Sequence, residues 1–76
     1  MYYLITRDQP RCVYCQMAKN LADKAGLDYK VVPVETMTEF MELNGLKTVP
    51  AIFKGRVDME HYIGGHAEFQ RHVYSN

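Results

Sequence analysis

The chain has only two cysteines, no tryptophan, no long apolar run and no net charge. Nine basic residues balance nine acidic ones, which excludes a global attraction to nucleic acid or to an anionic membrane. No segment approaches the ~18 consecutive apolar residues of a membrane-spanning helix, and the first residues lack the pattern of an export signal. Two cysteines are too few for the disulfide framework of a small secreted protein, so we expect a cytoplasmic protein.

The length allows one small domain. Seventy-six residues leave no room for a second core, and 47% of them are apolar or aromatic, which favours a packed fold. We therefore expect a single domain over residues 1–76 that acts as a monomer.

The two cysteines, Cys12 and Cys15, are separated by two residues. A disulfide between them closes a tiny ring and restrains the unfolded chain much less than one across a long loop. Cysteines three apart on a helical turn face the same way and can bond reversibly. A structural zinc site needs four ligands, and His61, His66 and His72 lack metal-motif spacing. The pair therefore predicts a dithiol redox centre with no metal.

Apolar periodicity predicts seven elements. Strands are expected at 2–6, 28–34, 51–54 and 57–61. Helices are expected at 13–25 and 66–74, and a short third helix should follow a capping box formed by Thr36 and Glu39. Pro33 predicts that the second strand lies at a sheet edge or ends near this residue. The expected buried positions on the helices are Met17, Ala18, Leu21, Ala22, Ala25, Phe40, Leu43, Phe69 and Val73.

This β-α-β-α-β-β-α order predicts an α/β, thioredoxin-like fold. The first strand, helix and strand form a right-handed parallel crossover, and the last two strands form an antiparallel hairpin. The result is a four-stranded mixed sheet with helices on both faces. A Cys-x-x-Cys that begins the first helix of such a unit is the expected redox site.

The two sulfurs have different predicted roles. Cys12 lies at a helix N-terminus, where partial positive charge and unpaired N–H groups favour the thiolate, and Arg11 and Arg7 add positive charge. We predict that Cys12 attacks a substrate disulfide. Cys15, one turn deeper, would resolve the mixed disulfide.

Three motifs together resemble the active-site signature of the glutaredoxin family. They are Cys12-Val13-Tyr14-Cys15, Thr48-Val49-Pro50 and Gly64-Gly65, in the family's order and at similar spacing. The family usually has proline where this chain has Val13. The short length and the Val-Tyr centre resemble bacteriophage-type glutaredoxins, which would place the protein in host cytoplasm.

The resemblance implies roles for residues around the cysteines. Pro50 should be cis and face Cys12, and the backbone of Val49 should pair with glutathione or with a substrate strand. Tyr14 should flank the bound thiol.

The resemblance also implies a glutathione site. Arg7 resembles the basic residue that meets the glycine carboxylate, and Lys47, before Thr48, is a second candidate. Gly64-Gly65 at a helix start should bring N–H groups to the γ-glutamyl carboxylate. The following positions, where many glutaredoxins have an aspartate for the ligand's amine, read His66, Ala67 and Glu68.

The first functional prediction is a dithiol glutaredoxin that reduces protein or glutathione mixed disulfides with glutathione as reductant. By resemblance, ribonucleotide reductase is a natural partner. An alternative keeps the chemistry but takes electrons from thioredoxin reductase. A third holds a metal or an iron–sulfur cluster between subunits through Cys12, a reading that the second cysteine argues against.

Overall fold

The computed structural model describes residues 1–75, which form a four-stranded sheet, three α-helices and two 3-10 turns. The strands are β1 (Tyr2–Thr6), β2 (Tyr29–Pro33), β3 (Ala51–Lys54) and β4 (Tyr62–Gly64). The helices are α1 (Val13–Lys24), α2 (Thr38–Leu43) and α3 (His66–Tyr74), and the 3-10 turns are Val34–Thr36 and Met59–His61.

The sheet has the strand order β2-β1-β3-β4. Strands β1 and β2 are parallel, with Leu4 opposite Val31, whereas β3 is antiparallel to both β1 and β4. This arrangement confirms the predicted mixed sheet with one parallel crossover and a terminal antiparallel pair. Pro33 ends β2 at the sheet edge, as its missing N–H donor predicts.

The sheet separates two apolar cores, which confirms that helices cover both faces. Strand β1 supplies Leu4 to one core and Ile5 to the other, because successive side chains of a strand point to opposite faces. The first core joins β1 and β3 to α1 and α3 through Ala18, Leu21, Ala22, Ile52 and Phe69. The second lies under α2 and contains Met41, Ala51 and Phe53.

The buried stripe of α1 differs from the predicted one at two positions. Cys15, Ala18, Leu21 and Ala22 are buried, but Met17 is 41% exposed and Ala25 is also exposed. Both were expected in the stripe, and both predictions are wrong. Met17 lies two residues after Cys15, which places it on the opposite side of the helix. Ala25 is the C-cap and lies beyond the last helical residue.

The predicted start of α2 is also wrong. Met37 is the N-cap, and its side chain makes no capping hydrogen bond. The Thr36 hydroxyl instead donates to the carbonyl of Pro33 at 2.7 Å. Thr36 therefore closes the preceding 3-10 turn instead of capping the helix. Leu43, expected in the core, is 78% exposed, and Met41 is buried instead. Phe40 is partly buried against the second core, as predicted.

The fourth strand lies later in the chain than predicted. Residues 57–61 were expected to be extended, but Asp58 accepts a hydrogen bond from the His61 N–H and caps the 3-10 turn Met59–His61. The strand is Tyr62–Gly64, and Phe53 pairs with Tyr62. The predicted bounds of β3 and α3 are confirmed. Among residues 1–75, no helix is long and apolar enough to cross a membrane.

Candidate active site around Cys12 and Cys15

Cys12 and Cys15 lie at the start of α1. Cys12 is the N-cap, with extended backbone, and Cys15 is the third helical residue. Their Cα atoms are 5.2 Å apart, and the two sulfurs form a disulfide. The Cys15 N–H donates to Cys12 Sγ at 3.2 Å, the bond that an N-cap side chain accepts from the third residue of a helix. A backbone N–H that has no partner within the helix is thus directed at Cys12 Sγ.

The two cysteines differ in depth. The exposed fraction is 9% for Cys12 and 1% for Cys15. An incoming disulfide therefore reaches Cys12 more easily than Cys15. The neighbouring side chains of Val13 and Tyr14 are about 60% exposed, at 58% and 61%, so the helix start presents an apolar surface beside the first sulfur.

The loop before β3 lies against Cys12. The Val49–Pro50 peptide bond is cis, which confirms the sequence prediction, and Pro50 is buried. Cys12 Sγ lies 3.8 Å from the Val49 carbonyl oxygen. A reduced Cys12 thiol can donate a weak hydrogen bond across this distance. The Gln9–Pro10 bond is also cis, a feature that the sequence analysis did not anticipate.

A groove of about 380 Å³ lies on the α3 side of this loop. Tyr14 and His66 form its aromatic part, with ring centroids 5.9 Å apart. We call it the α3-side groove; its lining residues are Tyr14, Thr48, Val49, Pro50, Gly65, His66, Ala67 and Glu68. All eight are residues that the sequence analysis had assigned to the site. His66, which directly follows the Gly64-Gly65 motif, is one of the residues that line the groove.

Gly64 and Gly65 form a tight junction between β4 and α3. Gly64 has φ +135°, a backbone conformation that L side chains rarely adopt. Gly65 is the N-cap of α3, and its N–H donates to Glu68 Oε1 at 2.8 Å. Only glycine fits the first position, because a Cβ there would come within 2.6 Å of Glu68 Cβ. The junction brings helix N–H groups to the groove, but a carboxylate of the chain already accepts one of them.

A second groove, of about 260 Å³, lies on the other side of the loop. Two basic residues line it, Arg7 and Lys47, together with Thr48 and Val49, which both grooves share. We call it the basic-side groove; its other lining residues are Val34, Thr38, Met41, Glu42 and Leu46. Arg7 and Lys47, separated by 40 positions in sequence, are thus brought to one surface.

A smaller cavity of about 130 Å³ contains both cysteines. Three basic side chains line it: Arg7, Arg11 and Lys19. Arg7 also donates from Nε to the Pro10 carbonyl at 3.1 Å, which holds the arginine on its own loop. Asp8, Gln16 and Lys19 also line this cavity and were not predicted from the sequence. For Lys19 the spacing was the available signal, because Lys19 follows Cys15 by four residues and shares its side of α1.

The other histidines lie away from the cysteines. His61 pairs with Asp58, and His72 is hydrogen-bonded to the Tyr2 hydroxyl at 3.1 Å. The described residues contain no group of three or more His, Cys, Asp or Glu side chains that could hold a metal ion.

The fold and the cysteine pair define a thioredoxin-like protein with a dithiol centre. A sequence model of the glutaredoxin family matches residues 1–59. A glutaredoxin of Ricinus communis is 39% identical over 51 residues, which are 58% of this chain and 50% of that protein. The chain belongs to the glutaredoxin family, and the match spans half the length of that curated relative.

The fold is similar to a solved structure, a buckwheat glutaredoxin–glutathione complex. The TM-score is 0.71 with 23% sequence identity, over 93% of this chain and 66% of the buckwheat chain. At this identity the likeness shows the shared fold, which agrees with the predicted thioredoxin-like architecture.

Proposed function

We propose that this protein is a dithiol thiol–disulfide oxidoreductase that reduces disulfides with electrons from glutathione. The observation that carries the proposal is the position of the two sulfurs. Cys12 caps α1 and is the more exposed of the two at 9%, and Cys15 lies fully buried within bonding distance, one turn into the same helix. A reactive thiol needs an electropositive and partly exposed environment, and Arg7, Arg11 and Lys19 around the helix N-terminus provide one.

In the first step, the Cys12 thiolate attacks one sulfur of a substrate disulfide. A bond forms between Cys12 and that sulfur while the substrate S–S bond breaks, and the other substrate sulfur leaves as a thiolate with the electron pair. The Cys15 N–H directed at Cys12 Sγ stabilises the attacking thiolate.

In the second step, Cys15 resolves the mixed disulfide. Its thiolate attacks Cys12, the bond from Cys12 to the substrate breaks, and the second substrate sulfur leaves as a thiolate. The substrate has then gained two electrons, and the protein holds the Cys12–Cys15 disulfide. Two glutathione thiols reverse the oxidation by the same exchanges and leave as glutathione disulfide.

We assign the glutathione-binding role to the two grooves on either side of Val49. In this assignment Arg7 and Lys47, which line the basic-side groove, bind the glycine carboxylate. Tyr14, Pro50 and the start of α3 at Gly65 border the γ-glutamyl end in the α3-side groove. The shared Thr48–Val49 backbone runs between them beside Cys12, where a bound peptide would pair with it.

Protein disulfides and glutathione mixed disulfides are the proposed substrates, in cytoplasm. Ribonucleotide reductase is a proposed partner by family resemblance, because its active-site disulfide needs reduction after each turnover. A direct reduction assay with oxidised ribonucleotide reductase tests this partner separately from the general activity.

A coupled assay tests the reductant. A glutathionylated peptide is the substrate in two parallel assays. One contains glutathione, glutathione reductase and NADPH, and the other contains thioredoxin reductase and NADPH. We expect turnover with glutathione at millimolar concentration that is abolished in Cys12→Ser. Turnover with thioredoxin reductase alone would contradict the assigned reductant while retaining the chemistry of the two sulfurs.

A further inference from the structure

The carboxylate of Glu68 folds back onto the turn that begins α3. Its Oε1 accepts the Gly65 N–H at 2.8 Å, and its Cβ and Cγ lie over Gly64, where even an added methyl group would come within 2.7 Å of Cγ. The side chain therefore covers the junction between β4 and α3 instead of extending from the helix into solvent.

This position is one that favours an anion. The first N–H groups of a helix have no partner within the helix and carry partial positive charge, so they attract a carboxylate. Glu68 supplies that carboxylate from within the chain. A ligand carboxylate that approaches Gly65 must displace Glu68 or lie beside a like charge, and either outcome weakens its binding.

The charges around Cys12 are divided between the two grooves. Among residues 1–75, no lysine or arginine lines the α3-side groove, and Glu68 is its only acidic side chain. Arg7 and Lys47 outnumber Glu42 in the basic-side groove, and Arg11 and Lys19 lie beside the cysteines together with Asp8. A carboxylate at one end of a ligand therefore finds basic partners, whereas a carboxylate at the other end meets Glu68.

We propose that Glu68 determines specificity by occupying the anion position at the start of α3. It disfavours a ligand carboxylate in the α3-side groove, and so selects disulfide partners whose corresponding end is uncharged or cationic. The inference rests on the proposed function, since it assumes that a disulfide partner lies across both grooves while Cys12 attacks it. It assigns Glu68 a role opposite to that of a residue that attracts the γ-glutamyl end.

Two substrates that differ only at this end test the inference. One peptide carries glutathione in a mixed disulfide. The same peptide carries N-acetylcysteinylglycine, which keeps the thiol, the glycine carboxylate and a neutral amide on the cysteine nitrogen but lacks the charged γ-glutamyl end. KM and kcat are measured for both with the wild-type chain, Glu68→Gln and Glu68→Ala. Glu68→Gln keeps an acceptor for the Gly65 N–H and removes the charge, which protects the experiment against loss of the helix cap.

We expect the ratio of KM for the glutathionylated peptide to KM for the N-acetylcysteinylglycine peptide to fall about three- to tenfold in Glu68→Ala, with a smaller fall in Glu68→Gln. The change should be in KM, because Glu68 does not contact the sulfurs. Glu60→Gln is the matched control: Glu60 is exposed and lines neither groove, so it changes the net charge alone.

Three outcomes would overturn the inference. An unchanged ratio in both Glu68 variants shows that the carboxylate does not affect the ligand end. A raised ratio shows that Glu68 attracts the ligand's ammonium group. Failure of the wild-type chain to reduce either peptide overturns the proposed function together with this inference, whereas reduction of both peptides with an unchanged ratio overturns the inference alone.

Discussion

At the scale of single residues, Arg7 links the cysteine cavity to the basic-side groove, since it lines both. Its Nε donates a hydrogen bond to the Pro10 carbonyl, which holds the guanidinium group on its own loop and leaves the two terminal nitrogens available. Lys47 reaches the same groove from the opposite loop as a flexible point charge. The two cations thus offer one fixed and one adjustable partner for a carboxylate.

Removing either cation should weaken glutathione binding. We expect Arg7→Ala and Lys47→Ala each to raise KM for glutathione about three- to tenfold, because a charge-assisted hydrogen bond contributes about 1.5–3 kcal/mol and exposure to solvent reduces this value. The effect should shrink as salt is added. Lys30→Ala on β2 is the control, since Lys30 is exposed and lines neither groove. An equal increase in KM for this control would show that general charge, not the groove, is responsible.

Asp58 makes folding sensitive to acid. His61 Nδ1 lies 2.6 Å from its Oδ1, and Arg56 Nε lies 3.3 Å from its Oδ2. The hydrogen bond from His61 is the main cause that lowers the pKa of the Asp58 carboxyl below its ordinary value of 3.8. The folded state therefore favours the carboxylate, and this contribution to stability is present above pH 3.8 and is lost as the pH falls through the lowered pKa.

Asp58→Asn should remove this acid dependence. We expect a lower melting temperature at neutral pH and a weaker fall of that temperature below about pH 4, since the amide does not titrate. Thermal unfolding of both proteins from about pH 7 to about pH 2 measures the difference. Glu60→Gln, in the same 3-10 turn, controls for the loss of one exposed carboxylate. Parallel pH profiles for Asp58→Asn and the wild-type chain would contradict the assignment.

At the scale of elements, the end of α1 depends on one residue. Gly26 has φ +70°, and this turn lets the Leu27 N–H bond the Ala22 carbonyl at 2.9 Å and the Gly26 N–H bond the Asp23 carbonyl at 3.1 Å. These two bonds form a Schellman motif. Leu27 then packs on the first core, which directs the chain toward β2 and fixes the parallel crossover.

Gly26→Ala should destabilise the protein through its backbone alone. Nothing lies within 4 Å of a Cβ at this position, so the expected cost of about 1–2 kcal/mol is that of the left-handed conformation. Gly26→Asn should cost less, because asparagine tolerates that conformation. Urea unfolding measures both. Equal losses for alanine and asparagine would show that the left-handed backbone is not the source of the cost.

Local signals predicted most of the elements. The bounds of β1, β3 and α3 depend on neighbouring residues, and these predictions are confirmed. The fourth strand was misplaced because Asp58 captures the His61 N–H and folds 59–61 into a 3-10 turn. The α2 cap was misplaced because the Thr36 hydroxyl found a different acceptor, Pro33. In both cases one polar side chain can bond either of two backbone groups, and the sequence pattern does not show which hydrogen bond forms.

At the scale of the whole molecule, α3 is attached to the sheet mainly through Phe69. This ring is fully buried in the first core and lies 5.7 Å from the ring of Tyr2. Because α3 also supplies one wall of the α3-side groove, the packing of Phe69 fixes the distance from His66 to Tyr14. Core and site are therefore coupled through a single helix.

Phe69→Ala should cost about 3–5 kcal/mol of unfolding free energy, a large share of the ~5–15 kcal/mol of an ordinary domain. Tyr74→Ala on the same helix should stay within about 0.5 kcal/mol, because Tyr74 is 61% exposed. Urea unfolding of the oxidised proteins gives both values. A loss for Tyr74→Ala as large as that for Phe69→Ala would contradict the packing of α3 through Phe69.

The site residues that belong to short motifs were predicted from the sequence, whereas those that reach the site through tertiary packing were not. The cysteine pair, Val49-Pro50 and Gly64-Gly65 are short motifs with strict backbone requirements, and residues of all three motifs line the α3-side groove. Lys19 was not predicted, and neither were three apolar residues of the basic-side groove, Val34, Met41 and Leu46. These residues reach the site only through the helix face and the loop that the fold brings together. The bond from Glu68 to Gly65 likewise depends on the angle at which β4 enters α3.

Cys12 and Cys15 have different roles in the proposed mechanism, and trapping of a glutathione adduct distinguishes them. The reduced Cys15→Ser and Cys12→Ser proteins are treated with glutathione disulfide, and the mass of each intact chain is measured. We predict one stable glutathione on Cys15→Ser, located on Cys12 and released by a reductant, and little or none on Cys12→Ser, because Cys15 is buried. The wild-type chain should end as the internal disulfide without an adduct. A stable adduct on Cys12→Ser, with none on Cys15→Ser, would contradict the account.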